Sequence, residues 1–278
     1  MDGNRIKISN FIICNRKHDL ILNIKVWIKA FRLRTLPLSL SGILLSIFLA
    51  YSNGYYNLKT SILCIITTLF LQILSNLAND YGDFVNGIDN KERLGPSRTV
   101  QSGDISPKNM KKAIIVFTIL SLISGFFLIY DKNLFIFAPL GILAIIAAIT
   151  YTIGRKPYGY IGLGDLSVFI FFGLVSVIGT YFLLTENFNY DLLLISTSIG
   201  LFSTAVLNIN NIRDIESDKK SGKNSIPVRI GLKKAKIYHY FLLLFGILFA
   251  FLYTYINFKS YFQFLFLISI PFIVKKCF

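Results

Sequence analysis

Apolar runs of bilayer-crossing length succeed one another along the chain at 36–52, 60–79, 112–130, 134–153, 166–185, 191–210, 237–256 and 260–274. A hydrocarbon core takes roughly 17–25 apolar residues of helix to span, so the pattern predicts eight transmembrane helices. The connections alternate in character. Residues 80–111, 154–165 and 211–236 are polar and rich in motifs, whereas 53–59, 131–133, 186–190 and 257–259 are short and featureless. Of the 29 lysines and arginines, all but Lys59, Lys132 and Lys259 fall on the side of the N-terminus. Positive charge marks cytoplasmic loops, so both termini and every motif-bearing loop are expected on the cytoplasmic face. Trp27–Pro37, WIKAFRLRTLP, reads as a basic amphipathic segment lying on the membrane before the first span.

Composition agrees. The chain is 54% hydrophobic and 15% charged, against about 25% charged in soluble domains. The net charge of +15 is then mostly topogenic, and no nucleic-acid partner is expected; the lipid bilayer is. Cys14, Cys64 and Cys277 are far apart and lack metal-ligand spacing. Residues 1–26 carry one short apolar patch, too short for a signal peptide. They are expected to form a cytoplasmic tail, with residues 27–278 forming the membrane domain.

The chemistry concentrates in three stretches. At the end of the second run, NLANDYGD places Asn79, Asp80 and Asp83 together, with Arg93 and Arg98 following. Asp80 and Asp83 share one face of a continuing helix. After the sixth run, LNINNIRDIESD repeats the theme with Asn208, Asn211, Asp214 and Asp218. Acids in these positions also cap helices, but two such clusters after equivalent spans point to function, because carboxylates at a membrane edge are costly. Hard cations such as Mg²⁺ take oxygen ligands and share them with phosphates, and arginine pairs with phosphate. The third stretch, YTIGRKPYGYIGLGD, carries Tyr151, Arg155, Lys156 and Asp165 among glycines that permit close approach of the backbone to a ligand. Its cations serve either topology or an anion, and Asp165 either a helix N-terminus or a substrate. The repeat of an Asn-and-Asp cluster predicts an all-α, polytopic transmembrane bundle of two pseudo-repeated four-helix halves with one site between them.

In LRTLPLSL, LQILSNLANDYGDFVNGIDNKERLGPSR, AAITYTIGRKPYGYIGLGD and AVLNINNIRDIESDKKSGKNSIPVRIG the chain resembles the UbiA-type superfamily of membrane aromatic prenyltransferases. Within it, the closest likeness is to the 1,4-dihydroxy-2-naphthoate polyprenyltransferase (MenA) branch. The resemblance implies two bundles of helices around a central cavity and nine spans, of which eight are seen here. It implies that Asn79, Asp80 and Asp83, and Asp214 and Asp218, are associated with Mg²⁺ and a prenyl diphosphate. It also assigns Arg93, Arg98, Tyr151, Arg155 and Lys156 to substrate binding. Gly87 stands where the superfamily often has a further acid, and Asp89 is the nearest carboxylate.

The expected reaction is Mg²⁺-dependent transfer of a polyprenyl group from its diphosphate to 1,4-dihydroxy-2-naphthoate, with decarboxylation, on the way to menaquinone. The competing readings are prenylation of another aromatic acceptor, such as 4-hydroxybenzoate, and a membrane carrier. A carrier places its acids near the midplane, whereas both clusters here lie at one edge.

Overall fold

The computed structural model describes residues 24–88, 95–130 and 132–271. Helix α1 covers 24–31. Arg32, in the left-handed region at φ 51°, and a 3₁₀ turn at Leu33–Thr35 then redirect the chain into α2, Leu36–Ser52, which has Pro37 in its first turn. Helix α3 is Leu58–Val85, begun by Asn57, whose side chain accepts from Thr60 N–H at 2.9 Å. Helices α4 (Pro107–Tyr130), α5 (Ala138–Thr150), α6 (Gly164–Thr185), α7 (Leu192–Arg213), α8 (Ile215–Lys220) and α9 (Ile226–Ile256) follow, and a 3₁₀ segment runs over Tyr261–Ser269. No strand occurs among the described residues.

Six of the eight expected spans are helices long and apolar enough to cross a membrane, and the protein is an integral membrane protein. The run at 134–153 is shorter than expected. Its α-helix has 13 residues, preceded by a 3₁₀ turn at Phe135–Phe137. At 1.5 Å per residue this falls short of a bilayer core. The run at 260–274 is a 3₁₀ segment, and its last residues lie outside the described ones.

The repeat is visible in the packing. Helix α3 packs most extensively on α4 and α7 on α9, while α2 packs on α3 and α6 on α7. Small residues allow these approaches, as is usual between membrane helices. Gly173 faces Gly200 so closely that a Cβ on Gly173 would meet the Gly200 Cα at 2.6 Å. Ser46 Oγ donates to Val177 O at 2.8 Å, tying α2 to α6. In the middle of α6, Phe169–Gly179 is wound as a π-helix, a form often found at functional sites. In α9, Gly231 breaks the helix at φ 78° and ψ 162°.

A cavity of about 510 Å³ lies against α2, α3, α4, α5 and α6. Of α7, Leu207 alone is among its lining residues, and α9 contributes none of them. The cavity thus lies between the first half and α6 of the second, with more of its wall from the first. The π-helical part of α6 supplies Phe171, Phe172, Val175, Ser176 and Gly179 to its wall.

Candidate active site

Helix α3 continues unbroken past the hydrocarbon stretch to Val85, so Asn79, Asp80 and Asp83 lie on one helix. They face different ways. Asn79 lines the cavity, and its Oδ1 is buried without a hydrogen-bond partner. Asp83 is 4% exposed. It receives Arg98 Nη2 on Oδ2 at 2.6 Å and the Tyr160 hydroxyl on Oδ1 at 2.7 Å. Asp80 points into the loop that follows. Its Oδ2 accepts from Thr99 N–H at 3.0 Å and from the Thr99 hydroxyl at 2.6 Å, and its Oδ1 accepts from Val100 N–H at 3.2 Å. Asp80 thus folds the loop carrying Arg98, and Val100 and Ile105 of that loop bury themselves against Leu74, Leu77 and Met110. The equal standing that the motif gave Asp80 and Asp83 does not extend to their surroundings.

The second cluster also separates. Asp214 ends α7 and takes a bidentate pair from Arg213, Nε to Oδ1 at 2.8 Å and Nη2 to Oδ2 at 2.7 Å. Asp218, on α8, lies 3.1 Å from Lys223 Nζ as a charge contact without the alignment of a hydrogen bond. Burial pushes Asp218 above the ordinary carboxylate range; Lys223 pulls it down, and Asp214 and Asp83 push it up. The two clusters, more than 130 residues apart in sequence, therefore share one electrostatic site. Asn211 is buried beside them. Asn208 is not at the cavity, as its motif suggested. It is fully buried, and its Nδ2 donates to Ala235 O of α9 at 3.2 Å. Six residues before Asp214, it lies about 120° away around the helix axis.

The third stretch joins the clusters. Thr152 Oγ1 donates to Ala78 O at 2.9 Å, and Asn86 Nδ2 donates to Thr152 O at 3.0 Å. Asn224 N–H donates to Tyr160 O at 2.8 Å, and Arg229 Nη2 to Ile161 O at 2.6 Å. Tyr151 lines the cavity. Burial, followed by Tyr158, Asp165, Asp83 and Asp218, keeps its phenol protonated far above its usual range. Two of the four glycines of the stretch, Gly159 and Gly164, approach this side chain. A Cβ on Gly159 would meet Tyr151 Cε1 at 2.8 Å, and one on Gly164 would meet Tyr151 Oη at 2.7 Å. Asp165 is buried and accepts from the Tyr238 hydroxyl at 3.0 Å, a tie between α6 and α9. Arg155 and Lys156 are exposed and hold no ion pair among the described residues. Arg93, Asp89 and Glu92 lie outside the described residues.

Sequence reasoning missed Tyr160, Lys223 and Thr99. Tyr160 sits inside the third stretch, but nothing in its spacing announces a partner 77 residues away.

Asn79, Asp83, Asp214 and Asp218 offer oxygen donors only, the set that suits Mg²⁺, which completes its shell with water and phosphate. The orphaned Asn79 Oδ1 fits that use. Among the described residues no three acidic, His or Cys side chains converge as a self-sufficient metal cage. Asp80, which accepts three hydrogen bonds from Thr99 and Val100, is the most heavily engaged carboxylate of the first cluster.

The chain is 46% identical to a 1,4-dihydroxy-2-naphthoate octaprenyltransferase of Haemophilus influenzae, over 91% of this chain and 84% of the relative. It is 44% identical to the protein of the same name from Escherichia coli, over 91% and 83%. A UbiA homolog from Archaeoglobus fulgidus, solved bound to GPP and Mg²⁺, shares the fold with a TM-score of 0.62 at 17% identity, over 91% of this chain and 84% of that one. The family model for UbiA prenyltransferases matches residues 39–276, and the chain belongs to the UbiA prenyltransferase family.

Proposed function

We propose that the protein transfers a polyprenyl group from its diphosphate to 1,4-dihydroxy-2-naphthoate, with loss of CO₂, on the cytoplasmic side of a bacterial inner membrane. The observation that carries this reading is an apolar cavity lined by Tyr151 and by Asn79, with Asp83 four residues further along the helix that carries Asn79. The names of the relatives support the acceptor and the polyprenyl donor.

Asn79, Asp83, Asp214 and Asp218 would hold Mg²⁺, which supplies charge neutralisation at the diphosphate and makes it a better leaving group. Arg98, positioned by the loop that Asp80 folds, adds fixed positive charge where the leaving group gains negative charge. The Tyr151 hydroxyl, protonated and uncommitted, can donate to the departing diphosphate. The C1–O bond breaks toward an allylic cation, the electron-rich ring attacks it, and CO₂ and a proton leave. The walls from α4, α5 and α6, with Leu140, Ala144, Phe171 and Val175, exclude the water that would quench the cation. Arg155 and Lys156, exposed at the same edge, are placed to attract the anionic head of an arriving donor.

The test is prenyl transfer in detergent or lipid with Mg²⁺, a polyprenyl diphosphate and 1,4-dihydroxy-2-naphthoate, beside Asp83→Ala and Asp214→Ala. Metal-dependent turnover lost in both variants supports the reading. Turnover with 4-hydroxybenzoate alone reassigns the acceptor, and unchanged activity in the variants overturns the site.

A further inference from the structure

Polar side chains run along one wall of the cavity, and among the described residues Thr67 Oγ1 and Asn79 Oδ1 on that wall are buried without a hydrogen-bond partner. Thr67, Thr68, Gln72, Ser75 and Asn79 recur along the cavity face of α3, whereas α5 and α6 present mostly aliphatic and aromatic side chains. Gln72 is 8% exposed and belongs to a network whose polarity is fixed from outside the cavity. Asn76 Nδ2 donates to Phe31 O at 2.9 Å, and a backbone carbonyl can only accept. Asn76 must therefore turn Oδ1 toward Gln72, which gives it Nε2 at 3.3 Å. Thr35 agrees: its hydroxyl donates to Arg32 O at 2.9 Å and accepts from Asn76 Nδ2 at 2.9 Å and Gln72 Nε2 at 3.4 Å. With its amide nitrogen thus engaged, Gln72 Oε1 is left as an acceptor that no described residue fills.

We propose that Gln72 is the residue that recognises the aromatic acceptor, its Oε1 receiving the hydrogen bond of a ring hydroxyl. This rests on the function proposed above. Helix glue alone explains the bonds to Thr35 and Phe31, but not a network oriented so that its last group is an empty acceptor on the cavity wall. Gln72 lies seven residues before Asn79 on the same helix, two turns or about 10 Å below it. That separation leaves room for one aromatic ring between the diphosphate end and the amide. In 1,4-dihydroxy-2-naphthoate the 1-hydroxyl is adjacent to the carboxylate and bonds to it internally, so the free 4-hydroxyl is the group Gln72 would hold. A hydrogen bond accepted from that hydroxyl also draws electron density into the ring that attacks the cation.

Equilibrium binding to the full chain in detergent tests this with 1,4-dihydroxy-2-naphthoate and with 1-hydroxy-2-naphthoate, which lacks the 4-hydroxyl. The wild type is expected to bind the dihydroxy compound about tenfold or more tightly than the monohydroxy one. Gln72→Met is expected to lose that discrimination while keeping its KM for the prenyl diphosphate. Equal binding of both compounds by the wild type overturns the proposal without any variant. Gln72→Met that still discriminates, or that raises the KM of both substrates together, also overturns it and leaves the network a purely structural tie. A wild type that prenylates a different acceptor and ignores the dihydroxynaphthoate sinks the underlying function, a result distinguishable from discrimination that persists in an active enzyme.

Discussion

Tyr160 donates its hydroxyl to Asp83 at 2.7 Å while its own carbonyl accepts from Asn224, so one residue of the third stretch holds both the first acidic cluster and the loop after the second. A hydrogen bond to a charged group contributes roughly 1.5–3 kcal/mol. Tyr160→Phe is expected to lower prenyl-transfer kcat/KM by about 10- to 100-fold, with helical content unchanged by circular dichroism. Full activity in that variant would show that Arg98 alone holds Asp83.

Asp80 and Asp83, one helical turn apart, should fail differently. Asp80→Ala leaves the Thr99 and Val100 amides without their acceptor, at about 1–3 kcal/mol for each buried group. It is expected to lower the melting temperature and open residues 98–105 to proteolysis. Asp80→Asn keeps part of the anchoring, and its Mn²⁺ affinity, measured by titration, should stay within a few-fold of wild type. Asp83→Asn should lose that affinity while the loop stays protected. Equal loss of metal in both would restore Asp80 as a ligand.

Gly82 marks the closest approach of α3 to the third stretch. A Cβ there would meet the Thr152 carbonyl oxygen and Oγ1 at 2.6 Å. Overpacking of this kind costs about 1–3 kcal/mol. Gly82→Ala should therefore lower thermal stability and activity together, whereas alanine at the open Gly125 should leave thermal stability unchanged.

At the surface, Lys29 meets Asp104 at 3.1 Å, joining α1 to the loop before α4. The Ser102 hydroxyl, then Lys29, hold Asp104 below the usual carboxylate range. A carboxylate depressed in the folded state stabilises above its unfolded pKa, about 3.9, and loses that contribution as pH falls through the folded value. The hydrogen-exchange protection of residues 24–31, corrected for the intrinsic pH dependence of exchange, is expected to be constant at neutral pH and to fall only below about pH 4. Both side chains are more than a third exposed, so Lys29→Met should barely move the melting temperature.

The membrane class, the all-helical build and the two acidic clusters were legible in the linear pattern. Hydrophobic period, charge bias and local spacing are properties of adjacent residues, and they survive whatever the rest of the chain does. Asp80 and Asp83 were indistinguishable at that level, since both sit on one helical turn. Only the return of the loop at Thr99 and Val100 decided that one anchors backbone and the other faces Arg98 and Tyr160. Asn208 was likewise assigned to the site by proximity in sequence, until the packing of α7 on α9 claimed its amide. The off-centre cavity, the π-helical wall and the orientation of Gln72 depend on which helices touch. A buried polar group takes whichever partner the fold brings within reach, and that partner is commonly far away in the chain.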